Sequence, residues 1–498
     1  MSGADRFWLL VWMGARNVRL HKVKSLVVGG SLLGSIQASM ERSVTSSLSG
    51  QAQVYAKDAK DALALFPSGT MGSMDIGEIP DFRAVHDTLL AVPGVLDVVP
   101  MGITDAIVLQ GTELDRLLDR LRDAVEAGQA DQVALLSSEI RGIATSLEKD
   151  VQSARTASAD PSKEDAEIAD LGRVTDPAFW DALLDDPEGS LTFLESRIAP
   201  LGADGKALYL RLIGTDLTQF AKSFDRFRIV DGTPVPEGQP GLLVTKAFYE
   251  TEVKNPVARA LDDIRQARAD GRTIAQDPLL QEEVRRNVQQ RKRVLFQIEP
   301  ADAQAVRQGL LAVMPGTSGD LDALLQQFLL VDDATFDSRY QTFYQVIAPR
   351  IRLYDLPIGE TVTLRTFTRS GYARAANVPL YGTFTFEGLE RADLASVNHL
   401  VDIGTFRSLY GSMSDAQRDE LAGIRASAGV GDVGRDDAES ALFGGDPAAL
   451  VVDAAPEAPI VAAPAAPPPP PVAADGPQDP DEGLVLNAAV LLDPEERK

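Results

Sequence analysis

Residues able to carry chemistry are sparse in this chain. Among 498 residues there is no cysteine and there are three histidines. Without thiols, thiolate nucleophiles, iron–sulfur clusters and thiolate zinc sites are excluded. His21, His86 and His399 lie far apart in sequence. Most histidine metal or acid/base schemes need two of them to meet in space, so neither metal ligands nor catalytic residues are assigned. Three short patterns can be tested against the chemistry they would serve. Gly429-Val430-Gly431-Asp432-Val433-Gly434 spells GxGxxG, but no strand precedes it and it opens onto an acidic stretch, so it reads as a joint rather than a dinucleotide loop. Gly202-Ala203-Asp204-Gly205-Lys206-Ala207 is P-loop-like, yet no Ser or Thr follows the lysine to hold magnesium, so no ATP site is expected. Ser146-Leu147-Glu148-Lys149 spells SxxK without the companion motifs of that hydrolase class, and reads as a helix surface. Carboxylates are too numerous for a glycosidase-like pair to be chosen from spacing. No cofactor is expected.

The elements that would position any site follow from periodicity. Residues 81–109 read as a helix-to-strand unit: Phe82, Val85, Leu89 and Leu90 fall at helical spacing, a Pro-Gly turn follows, then VLDVVPMGITDAIVL. From Thr112 a helix opens with Thr112 and Asp115 at its N-terminus and Leu114, Leu117, Leu118, Leu121 and Val125 on one face. A second helix is expected over about 133–151, giving a helical hairpin insertion, 112–172, that buries its stripe mainly within itself. A second helical insertion is expected at 256–356. Its basic cluster Arg285, Arg286, Arg291, Lys292 and Arg293 reads as a solvated helix face. Residues 360–386 alternate about a Ser370-Gly371 turn, which predicts a β-hairpin or short meander. The stretch 425–483 reads as an extended, disordered linker: ten prolines and nine alanines fall between 451 and 480. The run 484–492 resumes strand character, so 484–498 is read as a final strand of the core.

Charge is unevenly placed. The 73 acids and 48 bases give −25 overall, which disfavours nucleic acid as a partner. Residues 1–30 nevertheless carry five bases, Arg6, Arg16, Arg19, Lys22 and Lys24, against Asp5, a net +4 that leaves −29 on the rest. The charge-free run Ser25–Met40 follows at once, as at the cytoplasmic edge of a membrane segment. Sixteen helical residues reach only about 24 Å, short of the roughly 30 Å hydrocarbon layer, so 25–42 reads as a foreshortened first transmembrane helix. Ahead of it, 1–24 with Phe7, Trp8 and Trp12 suits an amphipathic interfacial helix. That aromatic stretch argues against a signal peptide; a buried N-terminal helix of a soluble domain is the other alternative.

Four segments resemble one family. ARNVRLHKVKSLVVGGSLLGSIQASMERSVTSSLSGQAQVYA (15–56) is similar to the opening of FtsX/MacB-like ABC-transporter permeases of the lipoprotein-releasing type. LIGTDLTQFAKSFDRFRIVDGTPVPEGQPGLLVTKAFYE (212–250) resembles the family's periplasmic element, and PIGETVTLRT (357–366) and VPLYGTFTFEG (378–388) resemble its strands. The resemblance implies an α+β extracytoplasmic domain with large helical insertions, its core in three parts, 43–111, 173–255 and 357–424. It also implies a bacterial inner-membrane location, a separate ATP-binding ABC subunit, a second permease copy or homologue, contact with membrane lipid, and no enzymatic activity in this chain. Three further membrane helices would follow the last strand. The substrate, lipophilic or protein, is open. The alternative is a membrane-tethered periplasmic binding or scaffold protein without transport.

Overall fold

A computed structural model describes residues 44–59, 77–109, 111–156, 161–202, 207–368, 373–390, 397–411, 423 and 479–493. The expected interfacial helix 1–24 and membrane stub 25–42, His21, the GxGxxG pattern and most of the linker, 425–478, lie outside the described residues. Among the described residues no helix is long and apolar enough to cross a membrane.

The chain is of mixed α and β structure and divides into two compact units. One gathers the residues up to Ala106 with Leu210–Thr245 and those from Thr361 on; the other combines Ile107–Tyr209 with Lys246–Glu360. The first is the sheet unit. Its strands are β1 (Ala52–Tyr55), β2 (Val95–Leu109), β3 (Ala207–Thr215), β4 (Phe227–Gly232), β5 (Leu242–Thr245), β6 (Thr361–Phe367), β7 (Ala373–Phe386), β8 (Asn398–Asp402) and β9 (Asn487–Leu492). They run in the order β1-β9-β2-β3-β8-β5-β7-β4, and β6 pairs with both β2 and β7. The strands β2, β3, β8, β5, β7 and β6 therefore form a closed circuit, which leaves that part of the sheet without a free edge. Pairing is mixed: β3 and β8 are parallel, as are β5 and β7, whereas β9 is antiparallel to both β1 and β2. The expected hairpin is present as β6 and β7, in register from Thr361 opposite Pro379 to Phe367 opposite Ala373.

Among the described residues, the α-helices of this unit are α1 (Phe82–Leu90), α7 (Leu217–Ser223) and α13 (Ile403–Tyr410). Those numbered between them belong to the helical unit. Phe406 of α13 lies so close to β2 and β3 that a Cβ on Gly102 or Gly214 would come within 2.1 Å of its side chain. The two glycines thus admit the helix to the sheet, the close approach that a residue without Cβ permits. Phe220, Phe224, Phe227, Phe384 and Phe386 form an aromatic core, with ring centroids 4.4 Å apart for Phe220–Phe224 and 5.2 Å for Phe227–Phe384.

The helical unit contains α2 (Glu113–Glu126), α3 (Ala130–Arg155), α4 (Ser162–Thr175), α5 (Pro177–Leu183) and α6 (Pro187–Phe193), then α8 (Pro256–Ala269), α9 (Pro278–Gln289), α10 (Pro300–Val313), α11 (Leu321–Leu329) and α12 (Phe336–Thr342). Thr112 and Asp115 cap α2 reciprocally: the Asp115 amide donates to the Thr112 hydroxyl and the Thr112 amide to the Asp115 carboxylate, at 3.1 and 2.6 Å. The structure draws two things differently from the sequence. The α2 stripe of Leu114, Leu117, Leu118 and Leu121 shares its core with Leu171, Val174, Phe179, Leu183, Leu191, Leu194 and Ile198. The hairpin 112–172 does not close on itself, and 173–202, assigned above to the sheet core, packs with the helices. The reason is geometric: one antiparallel helix covers only part of an apolar stripe, and α4–α6 cover the remainder. The block 256–356 keeps its own core, from Val257 on α8 to Ile347. Lys292 reaches Asp150 of α3 at 2.6 Å, and Phe296 packs against the first cluster, so the two helical stretches are joined.

Candidate functional site

Where the chain joins the sheet unit is set by β1, β9 and β2 lying side by side. Val44 leads through a π-helical turn, Thr45–Ser49, into Gly50, which is at φ 65° with its α-carbon against the backbone of Val490. The Gln51 amide donates to the Val490 carbonyl at 2.9 Å, and the Leu492 amide donates to the Gln51 side chain at 2.9 Å. Next to them the Asp493 amide donates to the Gly94 carbonyl at 2.9 Å, at the foot of β2. The N-terminal and C-terminal approaches to this unit therefore meet at one end of the sheet. Asp97 anchors α7 there, accepting from Gln219 Nε2 at 2.7 Å and from the Ser223 hydroxyl.

At the carboxyl ends of the parallel pair β3 and β8 lies a small open cleft lined by Thr215, Asp216, Pro240, Asp402, Gly404 and Pro480, among others. Each strand ends in an aspartate that caps the next helix. Asp216 accepts from the amides of Thr218 and Gln219 at 2.9 and 3.0 Å, and Asp402 accepts from Thr405 and Gly241 at 2.8 and 3.0 Å. The position is where ligands bind in many open α/β sheets. Here the amides that would cradle an anion already hold a carboxylate. Burial pushes the Asp402 carboxyl above its ordinary range, against the hydrogen bonds from Thr405, Gly241 and Gly404.

A connected set of ionisable groups lies in the helical unit. Lys254, nine-tenths buried, donates to Glu250 at 2.8 Å and to Asp262 at 2.6 Å. Asp262 also accepts from the hydroxyls of Tyr340 and Tyr344 at 2.7 and 2.9 Å, and Glu250 from Tyr354 at 2.8 Å and Lys246 at 2.6 Å. Burial works against the charge on Lys254, but its bonds to Asp262 and Glu250 outweigh this and hold the ammonium above its ordinary value. Burial, followed by the bond to Asp262, pushes the Tyr340 phenol up to about 12. Glu250 sits below its usual range, since the bonds from Lys246, Lys254 and Tyr354 overcome burial. Lys254, Glu250 and Tyr340 are each shifted away from neutrality, the opposite of what a general acid or base needs. The cluster is a clasp: Tyr249 stacks on Tyr354 with ring centroids 4.4 Å apart, and the Asn255 and Asp355 amides donate to the carbonyls of Leu353 and Val253 at 2.8 and 2.9 Å. It ties together the two ends of the 256–356 block.

The residues weighed for chemistry from sequence are scattered. His399 is buried in β8, where its Nδ1 accepts from the Thr245 amide at 3.2 Å, and burial pushes the imidazole down to about 3. His86 is on α1 beside Asp87 and Asp481, at 3.6 and 3.9 Å. Ser146 and Lys149 lie on the surface of α3, and the lysine of the P-loop-like segment is outside the described residues. The basic cluster is paired: Arg285 with Glu282, Arg286 with Glu283, Arg291 with Asp322, and Lys292 with Asp150.

One functional group that sequence reasoning missed is Arg407. It is 6% exposed, and its guanidinium donates to the carbonyls of Leu484, Asp479 and Pro480 at 3.0, 3.2 and 2.8 Å. Arg83 of α1 binds Asp479 and Glu482 from outside at 2.6 and 3.1 Å. Residues 479–483, expected to be the tail of the linker, are thus a fixed turn that feeds β9 into the sheet. A lone arginine within IGTFRSLY carries no sequence signal of such a role. No protein-family model, no curated protein and no solved structure matches this chain.

Proposed function

We propose that this chain is the N-terminal and extracytoplasmic part of a permease subunit of an FtsX/MacB-like ABC transporter in a bacterial inner membrane. ATP would be bound by a separate subunit. A second permease copy or homologue would complete the transporter, and the extracytoplasmic units would relay movement to a lipophilic or protein substrate. The chain performs no reaction in this reading; it transmits a conformational change.

The observation that carries the proposal is the meeting of the two approaches, Val44–Gln51 and Leu492–Asp493, on adjacent strands at one end of the sheet unit. A domain hung between two consecutive membrane spans needs its first and last strands together and antiparallel, so that both connections leave one face. β1 departs from that end and β9 returns to it. The +4 charge of residues 1–30, followed by the uncharged run Ser25–Met40, supplies the cytoplasmic edge of the first span. The closed strand circuit and the fixed turn at Arg407 favour a rigid body able to pass on a displacement. The test is topological. Alkaline phosphatase, active only outside the cytoplasm, is fused after Tyr55 in the native gene. Strong activity is expected there and none for a fusion after Lys24; a silent Tyr55 fusion overturns the reading.

A further inference from the structure

Three large apolar side chains, Leu90, Val92 and Leu96, are 41, 48 and 56% exposed within seven residues at the junction of α1 and β2. They stand on a fixed piece of backbone. The Val92 amide donates to the Leu89 carbonyl at 3.0 Å, the Val95 amide to Val92 at 3.2 Å, and Asp493 ties Gly94 down. The ladder with β9 slips between Val95, opposite Leu492, and Asp97, opposite Leu491. That bulge leaves Leu96 without a partner and turned out, as bulges do when they re-aim a side chain. The same elements also serve the core, through Phe82, Val98 and Val99, all 0% exposed. Packing among the described residues does not account for the three exposed side chains.

We infer that this face rests on the interfacial region of a lipid bilayer. The inference builds on the membrane-tethered reading above and names the surface that meets the lipid. Its ground is location: the patch adjoins the end of the sheet at which residues 1–43 join the described fold, and those residues contain Trp8, Trp12 and the uncharged run Ser25–Met40. A segment of that composition partitions to a membrane, which brings the neighbouring face to the headgroup level. Three side chains are far fewer than the roughly 800 Å² per partner that a stable protein interface buries, so lipid suits the patch better than a second copy. Because the backbone is already fixed, docking costs little ordering entropy. Asp87 and Asp493 flank the patch, so the attraction is apolar rather than electrostatic, and a zwitterionic lipid suffices.

The absence of cysteine permits a direct test with the full chain. Val92→Cys and, as a control on the same unit, Phe367→Cys are labelled with bimane and reconstituted with phosphatidylcholine vesicles. Phe367 is 71% exposed and precedes Thr368, which touches Gly411 at the end of α13; Tyr410 there bonds Glu78, beside the Ile79–Val485 bridge at the opposite end of β9. Lipids brominated on the upper acyl chain should quench the Val92 label and leave the Phe367 label unchanged, while aqueous iodide should do the reverse. If the chain floats with the vesicles and iodide quenches both labels alike, the inference is overturned and the tethered reading stands. If the chain does not float with vesicles, the tethered reading fails and this inference with it. Concentration-dependent self-quenching of Val92 labels in vesicle-free protein would assign the patch to a second copy instead.

Discussion

The buried His399 makes the stability of the sheet unit depend on pH in a defined window. Its Nδ1 is the acceptor for the Thr245 amide, so protonation would set two donors face to face and place a charge between β3 and β5. The folded imidazole therefore binds a proton only near pH 3, against an ordinary value of 6.5 in the unfolded chain. Above 6.5 neither state is protonated and the group contributes no dependence. Below 6.5 the unfolded chain takes up a proton that the folded chain refuses, so stability falls as the pH falls, by about 1.4 kcal/mol per unit. Between pH 6.5 and 5 this comes to about 2 kcal/mol, a large fraction of the 5–15 kcal/mol typical of a domain. Glu250 and Asp479, held below their ordinary ranges, lose their contributions only below about pH 4.5, beneath this window. Asp402, raised by burial, acts in the opposite sense. The assay is urea denaturation at pH 7 and pH 5 of the parent and of His399→Asn, whose amide oxygen takes the place of Nδ1 and can still accept from Thr245. His21 and His86 are common to both proteins and cancel in the difference. The parent should lose about 2 kcal/mol more than the variant on acidification. Equal losses in the two proteins would refute the assignment of the buried neutral state to His399.

Arg407→Met should cost about 3 kcal/mol, because three carbonyls lose their donor, and it should speed amide exchange in Asn487–Leu492 more than in β4; uniform exchange would contradict the clamp. Lys254→Met alone leaves Glu250 and Asp262 without their cation and should lower stability by about 3–5 kcal/mol, whereas adding Glu250→Gln and Asp262→Asn should recover much of the loss, as read by thermal melting. Deleting 112–170 strips cover from seven buried side chains, Leu171 to Ile198, at a cost on the order of 10 kcal/mol; a cooperative transition close to the parent's would show that the shared helical core is not needed.

What could be read from the sequence was local. The α1–β2 unit, the Thr112–Asp115 cap and the β6–β7 hairpin each specify themselves within about thirty residues, through periodicity, capping and turn chemistry. The run 484–492 was legible as a strand, but its insertion between β1 and β2 was not, since pairing partners hundreds of residues apart leave no pattern in either segment. The same limit hid the joining of the two helical stretches and the covering of the α2 stripe by α4–α6: an amphipathic face states that it will be buried and not by what. At the candidate sites, Ser146 and Lys149 lie on α3 and Arg285 and Arg286 are exposed on α9, whereas Arg291 and Lys292 follow α9 and are largely covered in ion pairs with Asp322 and Asp150. Gly102, Gly214, Phe406 and Arg407, which seat α13 on the sheet and hold the 479–483 turn, are single residues of common types, informative only once α13 is laid across β2 and β3.

These long-range features bear on how the molecule could work. β9 follows the proline-rich stretch, yet it completes the sheet beside the strand that receives the N-terminal approach. Gln51, Leu492 and Gly94 tie three strands together at that end, while Arg407 and Arg83 tie down the start of the same strand at the other. A pull on either approach is therefore borne by β9 along its length and delivered to α13 through Arg407. From α13 it reaches β2 and β3 through Phe406, packed on Gly102 and Gly214, without bending the closed circuit. Loosening the Arg407 clamp should then uncouple movement at the chain's approaches from the sheet before it unfolds the unit. This can be followed by force spectroscopy with handles at Val44 and Asp481, which lie at opposite ends of the β1–β9 pair: Arg407→Met should add a low-force extension for residues 481–486 ahead of the main rupture. A single rupture at the parent's extension would mean that β9 carries load without the clamp.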